Sequence, residues 1–436
     1  MSSYIDMNQP RLYFSGLDDN NIGSMRVLSE TASDYPEAIS FSSGAPYEED
    51  FDYEDLKLCL DAFKRYFVAK TGNEDSFVRK MFHYSDVSGF TRDIVADYIS
   101  TLDDVYVTED HVMLTNGFQE ALLVALRGLC GSKDDVLLSV NPAYVGVYGA
   151  ARMLDIHVEG VFDDGNLISN IKRACTSLGE RGKRAFALYV NPDNNNPRGV
   201  SMTLADRREL LKIADEYDLF ILEDNPYRIF SPEETRLPSL KYLDDSGRVI
   251  VLGSFSKSVF PGARLGYIYT DQMLPGTDDL MVERFTPIKS MYSVGTSSLS
   301  QAVVAGALLS PEYGLWARIE RARKAYLHRL DLVVRQLEHH FPPSQWEQHH
   351  VAWEVPEAGF FIVLKVGFDA DIASMRSSAK NFGVSWAPMR MFYQGLGGEH
   401  EIRLGFSNLN DESIVEGIAR FARFNKSMVE VNDAVL

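Results

Sequence analysis

Short apolar runs closed by turn residues recur through the middle of the chain, and between them the apolar positions switch to helical spacing. Val112–Thr115, Val136–Val140, Ala185–Val190, Leu219–Leu222 and Arg248–Leu252 read as strands. Gly117 opens a helix through Leu122, Leu123, Leu126 and Leu129, and Thr203 caps another whose Leu210, Ile213, Ala214 and Tyr217 share one face. A further amphipathic run passes through Ile94, Tyr98 and Ile99. Strands followed by helices from about residue 105 to 270 predict an α/β fold with a mostly parallel sheet covered on both faces. From Leu315, the positions Ile319, Ala322, Tyr326, Leu330, Val333 and Leu337 predict one long helix that Pro342 ends. Beyond it, Pro356–Lys365 and Glu401–Asn408 read as strands of a second, smaller domain.

Composition narrows the function classes. A chain of 436 residues, 45% hydrophobic and 24% charged, buries a large core in two or three lobes. Its net charge of -19 opposes a nucleic-acid or anionic-membrane partner. Cys59, Cys130 and Cys175 are widely spaced and form no CxxC, which fits a reducing compartment. Met1–Pro10 lacks a basic stretch followed by an apolar one, and no run approaches membrane-spanning length, so a cytoplasmic protein is expected. The pairs His339-His340 and His349-His350 come without a matching carboxylate set, so no metal is expected. Neither a Walker loop nor a GxGxxG opening a βαβ unit is present.

The richest stretch is Gly253–Tyr267, where the apolar run ending at Leu252 gives way to small residues around Lys257. An amine beside an apolar wall has its ammonium form disfavoured and is free to attack a carbonyl, as in a Schiff base with pyridoxal phosphate. Ser254, Ser256 and Arg264 offer hydroxyls and a planar fork for a phosphate. On Ser-x-Ser-Lys alone, a solvated surface lysine reads equally well. Gly117, Phe118 and Gln119 begin the helix after a strand and present free amides to an anion. Asp224 closes an apolar strand, where a carboxylate is expensive unless it meets a cation such as a protonated pyridine nitrogen.

Taken with four further segments in the same order, Gly253–Tyr267 resembles the cofactor-lysine motif of fold-type I pyridoxal-phosphate enzymes, in the aminotransferase class I/II group that includes aminoadipate and kynurenine aminotransferases. The resemblance covers nearly the whole chain and implies a seven-stranded large domain, a smaller α+β domain from both termini, and a homodimer with shared active sites. The implied division is an arm and part of the small domain over 1–60, the large domain over 61–312 and the small domain over 313–436. It gives Tyr84 a reach across the dimer to a neighbouring phosphate, Tyr144 a place against the pyridine ring, and Asn196 and Tyr227 the cofactor's phenolic oxygen. Gly44, in a Gly-x-Pro turn, lines the substrate pocket, and Arg403 pairs with the substrate's α-carboxylate. Thr296 and Ser297 lie in the segment that passes under the neighbouring phosphate. Phe118, Asn141 and Arg198 depart from the pattern, where a small hydroxyl residue, an acid and a threonine are usual. The implied activity is transamination between an amino acid and a 2-oxo acid, with Lys257 as attachment point and base. Lyase, replacement or oxidase chemistry on the same fold is the alternative. A silent sensor domain is a third reading, opposed by the acidic charge and by the lack of a helix-turn-helix module before residue 45.

Overall fold

The computed structural model describes residues 33–48, 51–274 and 276–433. The polar segment through residue 32, read above as the start of an arm, lies outside the described residues. The strands of the large sheet are β1 (Val112–Thr115), β2 (Asp135–Asn141), β3 (His157–Phe162), β4 (Arg184–Val190), β5 (Phe220–Asp224), β6 (Val249–Ser254) and β7 (Gly266–Tyr269). They lie in the order β1-β7-β6-β5-β4-β2-β3. From β3 through β6 every pairing is parallel, and β7 runs antiparallel to both β6 and β1. The fold is the expected α/β architecture, with a mostly parallel sheet of seven strands.

Continuous apolar runs become inner strands because both faces of this sheet are covered. On one face Leu137, Leu222, Leu252 and Ile268 pack with the helix Phe118–Leu129, and on the other Leu138, Ile221 and Val251 join residues of the helices Leu167–Glu180 and Leu204–Glu216. Burying each such side chain contributes about 1.5–3 kcal/mol. Among the elements that escaped the pattern are two strands of the large sheet and one helix beside it. β3 mixes polar and apolar residues with only partial burial, β7 hides inside the lysine motif's tail, and the helix Met281–Ser293 carries Pro287 inside it.

The helix Leu315–His340 runs as its spacing predicts and leads to a second sheet. Its strands are β8 (Val351–Trp353), β9 (Phe361–Val366), β10 (Ala387–Pro388) and β11 (Glu401–Gly405), in the order β10-β11-β9-β8. The N-terminal piece Ile39–Ser40 pairs in parallel with Val384–Ser385, which brings the Gly44 turn and the C-terminal lobe together. Gly405 N donates to Phe41 O at 2.7 Å, fixing that chain path beside β11.

Candidate active site

The C-terminal ends of β2, β4, β5 and β6 open on one cavity of about 520 Å³. Lining it are Tyr144, Asn191, Asn196, Asp224, Tyr227 and Lys257, with Gly44, Phe361, Phe392 and Arg403 closing it from the other lobe. A crevice beyond the carboxyl ends of parallel strands is where this sheet type places ligands.

Lys257 lies three residues past β6. Its Nζ donates to the Gly44 carbonyl at 2.6 Å and sits 5.8 Å from the Phe360 ring. Burial pushes its ammonium down to about 8, helped by the Arg403 charge and opposed by Asp224. Asp224, 5% exposed at the end of β5, has no salt bridge with a cation among the described residues. Burial raises its carboxyl to about 7, while Tyr189, Asn191 and the Lys257 charge hold it down. Tyr227 and Tyr144 are pushed up by burial, so both stay protonated donors, and Gln119 Nε2 donates to the Tyr144 hydroxyl at 3.1 Å.

The opposite end of the cavity is positive. Gly117, at φ 78°, precedes the helix Phe118–Leu129, and a Cβ there would fall 2.4 Å from Arg264 Nη2. The glycine therefore lets the guanidinium approach the helix N-terminus, where amides and dipole favour an anion. Arg264 Nη1 donates to Ser256 Oγ at 3.4 Å, and Ser256 N donates to Ser254 Oγ at 3.2 Å. No carboxylate pairs with Arg264 among the described residues.

Arg403 comes from β11 and is held between two aromatic rings, 4.2 Å from Phe361 and 4.6 Å from Phe392. It donates to Asn196 Oδ1 at 2.6 Å and to the Ser42 carbonyl at 2.7 Å, while its buried Nε has no partner. Burial lowers its guanidinium to about 10, which leaves it charged at neutral pH.

Several residues singled out above lie outside this chain's own cavity. Tyr84 is 91% exposed and outside the cavity. Thr296 donates its hydroxyl to the Leu114 carbonyl at 3.0 Å, and Ser297 caps the helix Ser298–Leu309. Arg198 donates to the Asp163 carbonyl at 2.9 Å, away from the cavity. Asn141, at the end of β2, accepts from Gln394 N at 2.9 Å, and the Tyr148 hydroxyl shares its one proton between Asn141 Oδ1 at 3.1 Å and the Phe392 carbonyl at 3.0 Å. The departure from the usual acid thus ties the large sheet to the loop that places Phe392 over Arg403. Sequence reasoning missed Phe361, Ser42, Tyr189 and Asn191. It also missed Arg207, fully buried, which donates to Asp193 at 2.6 Å and to the Pro192 and Pro238 carbonyls, fixing the loop that carries Asn196.

The sequence matches the pattern of "Aminotransferase class I and II" over residues 39–421. The chain belongs to that family. It is 37% identical over 413 residues to a "(S)-3,5-dihydroxyphenylglycine transaminase" of Amycolatopsis orientalis, covering 93% of this chain and 92% of that one. It is 27% identical to "Aromatic-amino-acid aminotransferase 1" of Thermococcus litoralis, over 94% and 93% of the two chains. A crystal structure of Pyrococcus horikoshii kynurenine aminotransferase in complex with PMP superposes with a TM-score of 0.80 at 25% identity, covering 97% of this chain and 98% of that one. This aminotransferase uses pyridoxal phosphate and acts on amino and 2-oxo acids; elimination and oxidation are not favoured. The residues present fit the cofactor: an arginine, hydroxyls and free amides at one end suit a phosphate, and a buried carboxylate at the other suits a ring N–H. Asn191 adds an unpartnered amide that is 8% exposed.

Proposed function

We propose that Lys257 is the residue to which the cofactor is attached and the base that moves the substrate's α-proton. Asp224 holds the proton of the ring nitrogen, and Tyr227 and Asn196 face the phenolic oxygen, with Tyr144 against the ring. Arg264, Ser254, Ser256 and the amides of Phe118 and Gln119 bind the phosphate; the Gly117 amide is taken by the Thr115 carbonyl at 2.8 Å, and this glycine serves by leaving room for Arg264. Arg403 binds the α-carboxylate, with Gly44 in the wall beside it. When bound, pyridoxal phosphate supplies an aldehyde for the amino group and a ring that takes up the electron pair left as the α-proton departs. Lys257 suits a proton mover because burial leaves much of its amine uncharged at neutral to alkaline pH. It returns that proton on the other side of the reaction, and a second oxo acid runs the path backward.

The preferred donor in this reading is a neutral aromatic amino acid. What carries it is the Phe361–Arg403–Phe392 sandwich. The cations lining the cavity are Lys257, Arg264 and Arg403, each with a role above, and Ala45, Pro46 and Val145 add apolar wall. Among the described residues, none is left to pair a side-chain carboxylate, which costs several kcal/mol to bury unpaired. The names of the Amycolatopsis and Thermococcus relatives support an aromatic donor. A donor panel is expected to show kcat/KM for tyrosine, phenylalanine and phenylglycine about a hundredfold above glutamate and aspartate. Equal or greater rates with the dicarboxylates would reject this substrate class.

The working form in this reading is a homodimer in the cytoplasm, with residues 61–312 as the large domain and 1–60 and 313–436 contributing the small one. Three free cysteines agree with the compartment. Phe82, Tyr84, Met291 and Leu299 are 84%, 91%, 86% and 58% exposed, and their two segments adjoin where Gln301 donates to Ser85 Oγ at 3.1 Å. Asn116, next to Gly117, bonds the same region through Ser297 N at 3.3 Å, so this apolar patch borders the anion end of the cavity. Mixing inactive Lys257→Ala chains with Tyr84→Ala chains is expected to restore a wild-type-like site in the hybrid dimer, through Tyr84 of the partner subunit. A hybrid no more active than the Tyr84→Ala parent would place Tyr84 in its own chain's site or in none.

A further inference from the structure

Tyr189 lies one position before the end of β4 and is 1% exposed. Across the parallel pairing it stands opposite Leu222, and Asp224 lies two residues on along the same face of β5. Leaning along the strand, its hydroxyl donates to Asp224 Oδ2 at 2.5 Å. The ring is packed in the cluster that holds Phe186, Leu222 and Ile250, which leaves it little freedom to turn away. Asn191 faces the same carboxylate and helps hold it ionised, without closing a full hydrogen bond. A carboxylate this buried rotates or takes up a proton unless donors hold it. The Tyr189 phenol is itself raised well above its ordinary value, first by burial and then by the Asp224 charge, so it remains a donor throughout the working pH range.

We propose that Tyr189 is a positioning residue of this aminotransferase: by occupying Asp224 Oδ2 it leaves Oδ1 for the ring nitrogen of the cofactor and keeps the carboxylate charged there. The inference rests on the role given to Asp224 above. Tyr189 touches neither cofactor nor substrate in this account; it acts through the carboxylate. Removing its hydroxyl while keeping its ring costs Asp224 one charge-assisted hydrogen bond, so the neutral carboxyl gains ground and the ring-nitrogen proton is held less firmly.

The test compares the full chain, freed of cofactor and reloaded, for affinity toward pyridoxal phosphate and toward its analogue with CH in place of the ring nitrogen. Protein fluorescence quenching is the readout. Tyr189→Phe is expected to bind pyridoxal phosphate about tenfold more weakly than the wild type and the CH analogue equally well. The visible absorption of bound pyridoxal phosphate in Tyr189→Phe is also expected to titrate at a higher pH on its acid side, because Asp224 accepts a proton sooner. In an Asp224→Ala background the added Tyr189→Phe change is expected to alter nothing, which keeps the test open even where the single variant is less stable. Equal weakening toward both ligands, or none toward either, overturns the role of Tyr189. If Asp224→Ala itself fails to separate the two ligands, the assignment of Asp224 falls instead, and with it the reason for this one.

Discussion

Replacing Lys257 by alanine is expected to lower transamination by about 10⁴-fold, the upper end of what a positioned acid–base group supplies. The lysine stands in the cavity wall, with Nζ against the Gly44 carbonyl at 2.6 Å and the Phe360 ring at 5.8 Å, where no other described amine lines the cavity to take its place. Loss of the amine also removes the point of attachment, so the protein should not develop the visible band that the wild type shows with pyridoxal phosphate. The cofactor-free wild type offers a second check. Because burial favours the neutral amine, acylation of Lys257 should rise through about pH 8 rather than near 10.5. Retention of more than about a tenth of wild-type turnover in Lys257→Ala would remove the lysine from the chemistry.

Arg403→Ala should mainly raise KM. Two charge-assisted hydrogen bonds to a carboxylate are worth about 3–5 kcal/mol together, which corresponds to a loss of about 10²–10⁴ in kcat/KM. The guanidinium already donates to the Asn196 side chain at 2.6 Å and the Ser42 carbonyl at 2.7 Å, so its plane is set before any substrate arrives. Phe361 and Phe392 fix that plane from both sides. Arg403→Lys keeps the charge and loses the fork, and is expected to recover less than about tenfold of the loss. Steady-state kinetics with an amino acid and with its amine lacking the carboxylate separate the two effects. If both donors lose rate equally in Arg403→Ala, the arginine supports the fold rather than the carboxylate.

The lysine loop was legible because local signals coincide there: an apolar strand, then small residues and a basic fork at fixed spacing. The helix N-terminus at Phe118 and the carboxylate of Asp224 were legible for the same reason, each being set by a strand end. Residues whose work depends on distant partners were not. Tyr189 inside Arg184–Val190 reads as one more core aromatic, and only the parallel register with Leu222 aims its hydroxyl at Asp224. Asn141 stands out as a departure, yet its partner Gln394 is 253 residues away. Phe392 sits in a turn without periodicity, and its place over Arg403 follows from that long-range tie. The helix Met281–Ser293 holds Pro287 inside it, where the packing of Met281, Val282 and Phe285 outweighs one lost hydrogen bond.

The most direct test of the account is to load the wild-type chain with pyridoxal phosphate, reduce it with borohydride, digest it and locate the modified residue by mass spectrometry. The expected result is one stable cofactor adduct per chain, on Lys257, lost when an amino-acid donor is added before reduction. An adduct on another lysine, or one on Lys257 that no donor displaces, would contradict the site as assigned.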